Sequence, residues 1–168
     1  GTSFGFNRAE NTDSYSTAED LIKLLVSTVA AGGNLLLDIG PAADGTIPVI
    51  MQQRLLEIGQ WLKINGEAIY GTRAFIRSEK DKLINPETNK TIFFTRKNND
   101  LYLFCTSWPE GNIVLKGLKT ESVPRVVLLD GNRKVNASVS GGSLVIRPPV
   151  LTPDSFQHVY VFKIQGIK

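Results

Sequence analysis

The sequence has 168 residues, enough for one domain or for one domain with part of another. Its formal net charge of +3 is mild, and its Lys and Arg residues are not gathered with aromatic residues into the surface that nucleic-acid binding needs. No run approaches the roughly 18–20 apolar residues of a membrane helix, so neither nucleic acid nor a membrane is an expected partner.

Two lone residues limit the possible chemistry further. His158 is the only histidine, which excludes a His-based triad or a two-histidine metal site within this chain, and we expect it at a surface or edge at the start of the last strand. Cys105 is the only cysteine and cannot form an internal disulfide. Because it lies in the apolar run LYLFCTSW, we expect a buried, unreactive thiol.

The first predicted element is an amphipathic helix over residues 17–31. Ser16 and Glu19 have the spacing of a capping box, and Gly32 and Gly33 follow the helix as a stop signal. The apolar positions recur at the spacing of one helical face. They are Ala18, Leu21, Ile22, Leu25 and Val29.

A strand, a loop and a second helix are predicted next. Residues 35–39 are apolar except for Asp38 and show no alternation, which is typical of a strand covered on both faces in a parallel sheet. Residues 40–45 form a Gly/Pro loop. Pro48 opens the next helix, Gly66 ends it, and the predicted buried stripe is Met51, Leu55, Ile58 and Leu62. This unit cannot stand alone, so we interpret residues 1–72 as the last part of a (β/α)8-like barrel.

From about residue 73 the pattern changes to short runs rich in β-branched and aromatic residues. Seven such runs predict an antiparallel β-sandwich over residues 73–168. The predicted strands are 74–77, 91–96, 101–107, 112–115, 125–129, 143–147 and 159–164. Tight hairpins are expected at residues 98–100, 130–132 and 141–142. The predicted fold class is therefore α/β plus all-β, with a boundary near Thr72.

Four segments, taken in order, resemble the α-L-fucosidases, a family of retaining glycoside hydrolases. They are SFGFN at residues 3–7, GGNLLLDIGP at 32–41, DGTI at 44–47 and NGEAIYGT at 65–72. The motifs cover about residues 1–72, and the later part matches the family only in architecture. The resemblance implies a barrel that hydrolyses terminal L-fucose from glycans or glycosides with retention, followed by a β-sandwich, with no metal or organic cofactor.

The resemblance also implies that the chemistry lies elsewhere. In this family both the carboxylate nucleophile and the acid/base would precede Gly1, so no catalytic residue is expected in this chain. We expect a companion chain that carries the rest of the barrel and covers the apolar faces of residues 21–29 and 35–39. The family's sugar-lining aromatic corresponds to Phe4, although Phe4 or Phe6 could instead be a packed core ring. The substrate places the enzyme in a lysosome, a periplasm or the extracellular space.

Several other residues invite a functional interpretation that we consider the weaker one. Asp38 lies at the C-terminal end of the predicted barrel strand, where barrel enzymes keep their catalytic groups, but the family that this chain resembles has Asn there more often, which favours a turn-stabilising role. For Asp44 we expect a structural role in a turn. For Glu67 we expect a structural role at the junction between the two domains. Trp108 could stack on a sugar, yet sandwich core or rim is the commoner role.

The sequence also allows a function that is not enzymatic. Residues 73–168 fit a non-catalytic carbohydrate-binding or structural β-sandwich module equally well. The strand, loop and helix at residues 35–62 separate the two hypotheses, because a barrel requires them and a binding module does not.

Overall fold

The computed structural model describes residues 5–75, 92–118, 120, 122–152 and 157–167. Two helices, α1 (Ala18–Ala30) and α2 (Val49–Asn65), precede the strands. The strands are β1 (Arg73–Ala74), β2 (Ile92–Lys97), β3 (Asp100–Cys105), β4 (Ile113–Lys116), β5 (Val126–Leu128), β6 (Arg133–Ser140), β7 (Ser143–Arg147) and β8 (Tyr160–Ile164). The predicted change from helices to strands near Thr72 is thus confirmed.

The strands form one antiparallel sheet in the order β1-β2-β3-β8-β5-β6-β7-β4. Residues 133–135 of β6 pair with β5, whereas residues 136–140 pair with β7. Side chains from both halves of the sheet share one buried cluster, including Leu103 of β3 and Leu115 of β4. The sheet therefore curls over a common core, and the two layers of the predicted sandwich are halves of one continuous sheet.

Strand β6 is the element that the sequence analysis missed. Its sequence, RKVNASVS, contains only three apolar residues, and Val135 alone among its residues is buried. The three predicted hairpins are confirmed. Gly141 and Gly142 both have positive φ values, 55° and 71°, and join β6 to β7, while Asn98 at φ 54° lies between β2 and β3. Asp130–Asn132, with Gly131 at φ 69°, joins the antiparallel strands β5 and β6.

The two helices pack on the outer face of the sheet. Ile22 and Val26 of α1 and Trp61 of α2 are buried with Tyr102 and Phe104 of β3. The Trp61 indole Nε1 donates to the carbonyl of Val159 at 2.8 Å, which fixes α2 to the start of β8. The expectation that the apolar face of residues 21–29 needs a companion chain is therefore wrong for Ile22 and Val26, because the chain's own sheet covers them.

Both helices differ from the prediction in one detail, the N-cap residue of α1 and the buried face of α2. Thr17, not Ser16, is the N-cap of α1: its hydroxyl accepts from the Asp20 N–H at 3.1 Å, and Asp20 accepts from the Thr17 N–H at 3.3 Å. In α2 the deeply buried residues are Trp61 and Asn65, whereas Leu55 is 38% exposed. The buried stripe of α2 thus lies toward its C-terminal half, where the sheet is.

The predicted strand at residues 35–39 does not form in this chain. These residues pair with no strand in the part of the chain that the structure describes, and Leu36 is 94% exposed. A strand needs a neighbour for its backbone groups, and none of the described strands lies alongside this segment. The prediction of a buried strand is wrong for the chain as it stands, and the described residues of its later half do not enclose the segment.

Candidate functional site

A cavity of about 340 Å³ opens between the N-terminal segment, the segment before α2, and α2 itself. Its charged lining consists of Glu10, Asp38 and Arg54, and the backbone of Gly5 and Gly40 contributes to its wall. Two of the motifs quoted above, SFGFN and GGNLLLDIGP, therefore meet at one place. The first of these motifs contains Phe4, the residue expected to line the sugar pocket.

The guanidinium of Arg54 is already engaged within the fold. Its Nε donates to the backbone carbonyl of Ser16 at 3.2 Å, and its Nη1 donates to Glu57 at 3.1 Å. Arg54 thus ties α2 to the residue before the N-cap of α1. Its role in the described structure is to hold the wall of the cavity in place.

Asp38 and Asp44 both serve their own loops. The Asp38 carboxylate accepts from the Ile39 N–H at 2.9 Å. Asp44 accepts from the N–H of Thr46 at 3.0 Å and from its hydroxyl at 2.7 Å, and these hydrogen bonds lower the pKa of Asp44. Such contacts are typical of turn residues. They agree with the structural roles predicted for both carboxylates.

The backbone of Gly5 and Phe6 lies directly against Gly40. A Cβ atom added to Gly40 would lie 2.5 Å from Gly5 Cα and closer still to Phe6 N. Phe4, the residue predicted to line the sugar pocket, lies outside the described residues. Phe6 is 37% exposed, so it is not a buried core ring. This contact is not predictable from the sequence, where its only signal is a glycine in each motif.

Glu67 lies in the helical turn Gly66–Ala68 that follows α2, within a cluster of polar groups. Its carboxylate accepts from Lys163 of β8 at 2.9 Å and from the Tyr102 hydroxyl at 3.3 Å, and Lys163 also contacts Asp100 at 3.3 Å. Burial tends to lower the pKa of Lys163, but its hydrogen bonds to the two carboxylates outweigh burial and raise it. Burial, and then the charge of Glu67, raise the pKa of Tyr102. The cluster connects the chain after α2 to the sheet.

Three further candidates have the structural roles expected of them. Trp108 packs edge-on against Tyr160, with ring centroids 4.8 Å apart, at the rim of the core. Cys105 is buried, and burial raises the pKa of its thiol to about 12. His158 precedes β8, half-buried beside Trp61 and Ile64.

Within the described ranges, no group of three His, Cys, Asp or Glu side chains could hold a metal ion. In the same part of the chain, no helix combines the length and apolar character needed to cross a bilayer.

Two family models match this chain in order. The model described as α-L-fucosidase matches residues 1–67, and the model described as the α-L-fucosidase C-terminal domain matches residues 84–165. Tissue α-L-fucosidase from Mus musculus is 37% identical over 161 residues, which are 92% of this chain and 34% of that protein. An α-L-fucosidase from Dictyostelium discoideum is 35% identical, and the matched region spans 100% of this chain and 37% of that protein.

Solved structures give the same result. The α-fucosidase from Thermotoga maritima in complex with fucose has a TM-score of 0.80 and 34% identity, covering 96% of this chain and 37% of that one. The complex of that enzyme with a mechanism-based inhibitor has a TM-score of 0.81. This chain spans about a third of the length of these relatives. Since both family models match it in the family's order, the chain belongs to the α-L-fucosidase family, of which it covers the C-terminal portion.

Proposed function

We propose that this chain is the C-terminal part of an α-L-fucosidase that hydrolyses terminal L-fucose from glycans or glycosides with retention of configuration. The observation that carries the proposal is the ordered match of both family models across residues 1–67 and 84–165. The similarity to a Thermotoga maritima enzyme solved with fucose supports the same substrate class. The fucosidase match over residues 1–67 also makes a stand-alone binding module the weaker hypothesis.

The chain is proposed to supply walls rather than chemistry. Retaining hydrolysis needs two carboxyl groups roughly 5–5.5 Å apart, one that attacks and one that protonates the leaving group. We place both upstream of this chain, as the resemblance to the family implies. The carboxylates of Asp38 and Asp44 agree with this placement, because they accept hydrogen bonds within their own turns. Residues 1–72 then complete a (β/α)8-like barrel, and residues 73–168 form the sandwich domain. The gap between the two family models, after residue 67 and before 84, supports this division.

A companion polypeptide carrying the rest of the barrel is part of the proposal. Leu36 and Leu37 are 94% and 38% exposed, and their backbone pairs with no strand in the described part of the chain. A neighbouring barrel strand would satisfy the backbone of residues 35–39 and cover both leucines. This occupant explains why an apolar run with the composition of a buried strand is exposed here.

Phe4 is the substrate-binding residue that we propose. A flat ring at this position would cover the apolar face of fucose, including its C5 methyl group, at low entropic cost. The described neighbours support it, because Gly5 and Gly40 meet at the wall of the cavity beside Asp38. For the intact enzyme, the substrate class favours a lysosomal, periplasmic or extracellular location.

The experiment compares this chain alone with a chimera, using a chromogenic α-L-fucoside. The chimera joins this chain to the part of the Thermotoga maritima enzyme that precedes the matched region. We expect turnover by the chimera and none by the chain alone. Turnover by the chain alone would contradict the placement of the chemistry upstream. Fucose binding by the chain alone, together with an inactive chimera, would favour the carbohydrate-binding alternative.

A further inference from the structure

The sequence contains two tripeptides of the form Asn-X-Ser/Thr in which X is not proline. This is the acceptor sequence for an N-linked oligosaccharide in proteins that pass through the secretory pathway. One tripeptide, Asn89-Lys90-Thr91, lies outside the described residues, and the other, Asn136-Ala137-Ser138, lies within β6. Because such tripeptides also occur by chance, the place of Asn136 in the fold decides whether it is a suitable acceptor.

The side chain of Asn136 points away from the core of the sandwich. Side chains alternate between the two faces of a strand. Val135 is buried in the core cluster and Ala137 packs against it, so Asn136 and Ser138 lie on the opposite face of β6. There Asn136 is exposed and Ser138 is half-buried. Both groups of the acceptor sequence are therefore directed toward solvent.

The neighbours of Asn136 on this outer face are open as well. Arg147 of β7 lies directly opposite Asn136 and is exposed, and Val145 lies opposite Ser138 and is half-buried. The other residues that share the face are also exposed or half-buried. They are Ser140 of β6, Ser143 of β7, and Val114 and Lys116 of β4. A glycan on Asn136 would thus displace no packed side chain among the described residues.

The helices lie on the other side of the sandwich. The buried cluster beneath them includes residues of β2, β3 and β8 but, within the described part of the chain, no residue of β4, β6 or β7. The inner faces of these two sets of strands share the core cluster, as two sheet layers about 10 Å apart do. The outer face of β4, β7 and β6 therefore points away from α1 and α2, which belong to the proposed barrel portion.

We propose that Asn136 is an N-glycosylation site on the face of the sandwich that points away from the helices. This inference rests on the proposed location, in its lysosomal and extracellular alternatives, because the transfer takes place in the lumen of the secretory pathway. The donor is an oligosaccharide linked to a lipid diphosphate. The Asn136 Nδ2 atom forms a C–N bond to the anomeric carbon of the first sugar and releases one proton, while the C–O bond to the diphosphate breaks and the lipid diphosphate leaves.

The first test measures whether the site is occupied. The chain is fused to a secretion signal and produced in human cells as Asn89→Gln, so that a single acceptor tripeptide remains. We expect peptide N-glycosidase, which converts a glycosylated asparagine to aspartate, to remove an oligosaccharide and leave an aspartate in place of Asn136 in peptide mass spectra. Both secreted and cell-retained protein are analysed, so that the result does not depend on how well the chain is secreted.

Three variants of this protein test the acceptor sequence itself. Asn136→Gln and Ser138→Ala should both lack the oligosaccharide, although Ser138→Ala keeps the asparagine. Ser138→Thr should retain it, because threonine supplies the same hydroxyl group. An unmodified Asn136 in the Asn89→Gln protein would overturn the proposal, and so would an oligosaccharide that persists in Ser138→Ala.

The second test measures whether this face stays free in the whole enzyme. The chimera is produced in the same way, and its KM and kcat are measured before and after native removal of the oligosaccharide, with the Asn136→Gln chimera as the matched control. We expect removal to need no denaturation and both constants to change less than about twofold. An oligosaccharide that is released only after denaturation would overturn the placement of the site on an open face.

The two tests also separate this inference from the proposed function. An inactive chimera whose Asn136 is occupied counts against the proposed function and leaves the modification site standing. An active chimera whose Asn136 is unmodified counts against this inference alone.

Discussion

The ammonium group of Lys163 donates a hydrogen bond of 2.9 Å to the carboxylate of Glu67, across 96 positions of sequence. Lys163 lies on β8, near the middle of the sheet, and Glu67 lies in the turn that follows α2. The Lys163 ammonium also lies 5.6 Å from the ring centroid of Tyr102. This contact joins the helical part of the chain to the strand part, which the family models match separately.

Replacing Lys163 with Met tests what this connection contributes. We expect Lys163→Met to lower the free energy of unfolding by about 1 kcal/mol, because Glu67 and Asp100 lose their cationic partner. The loss is no larger because these ion pairs are partly exposed to solvent. Urea unfolding measures the change. Adding 0.5 M NaCl should reduce the difference in unfolding free energy between the wild type and Lys163→Met. Lys134→Met, at an exposed position of β6, is the matched control and should stay close to wild type. Equal effects of the two substitutions would show that the pair contributes nothing specific.

The cap of α1 provides a test that separates two overlapping motifs. Thr17→Ala removes the hydroxyl that accepts from the Asp20 N–H, so we expect a loss of about 1 kcal/mol. Ser16→Ala should cost much less, because the contact that Ser16 makes with Arg54 uses its backbone carbonyl. Thermal unfolding of both variants decides between them. A larger loss in Ser16→Ala would restore the cap position predicted from the sequence.

Local signals explain which elements could be predicted from the sequence. The span of α1 and the turns at Asn98 and Gly141 depend on a few adjacent residues, and all three form where expected. The cap was displaced by one residue because Ser16/Glu19 and Thr17/Asp20 satisfy the same spacing. Strand β6 was missed because its stability comes from pairing with β5 and β7 rather than from its own composition.

Long-range contacts explain what could not be predicted. Leu36 and Leu37 are exposed because no strand of the described residues pairs with their segment, which composition does not reveal. Two contacts join residues that are far apart in sequence: Gly5 with Gly40, and Glu67 with Lys163. A pattern read within a short stretch of sequence cannot predict such contacts. The roles of Asp38, Asp44 and Cys105 were predictable, because each is decided by its immediate neighbours.

Cys105 gives the protein a defined response to alkaline pH. Burial raises the pKa of the thiol from 9.0 to about 12, so the native state keeps its proton after the unfolded state has lost it. This contribution to stability is fully present below pH 9 and is lost as the pH rises from 9 to about 12. We therefore expect the free energy of unfolding to fall by up to about 1.4 kcal/mol per pH unit in that window.

The comparison with Cys105→Ala isolates the thiol. The variant should be less stable at pH 8, because it leaves a small cavity, but its stability should fall less steeply between pH 9 and 10. Well below pH 10, Tyr102 contributes little to the slope, because its phenol is mostly protonated in the unfolded state, where its pKa is 10.0, and burial raises the pKa further in the native state. Urea unfolding at several pH values provides the measurement. Parallel curves for the two proteins would mean that the thiol does not stay protonated in the fold.

The exposed leucine at position 36 allows the proposed barrel partner to be tested by stability. In this chain alone, Leu36→Ser and Val150→Ser should both leave the free energy of unfolding within about 0.5 kcal/mol of wild type, because the two side chains are 94% and 89% exposed. In the chimera, we expect Leu36→Ser to cost about 2 kcal/mol, as for a leucine that becomes buried, while Val150→Ser remains near neutral. The same two substitutions thus differ only where the rest of the barrel is present. If Leu36→Ser and Val150→Ser stay equivalent in an active chimera, residues 35–39 are not a buried barrel strand, and the upstream part must join this chain through another surface.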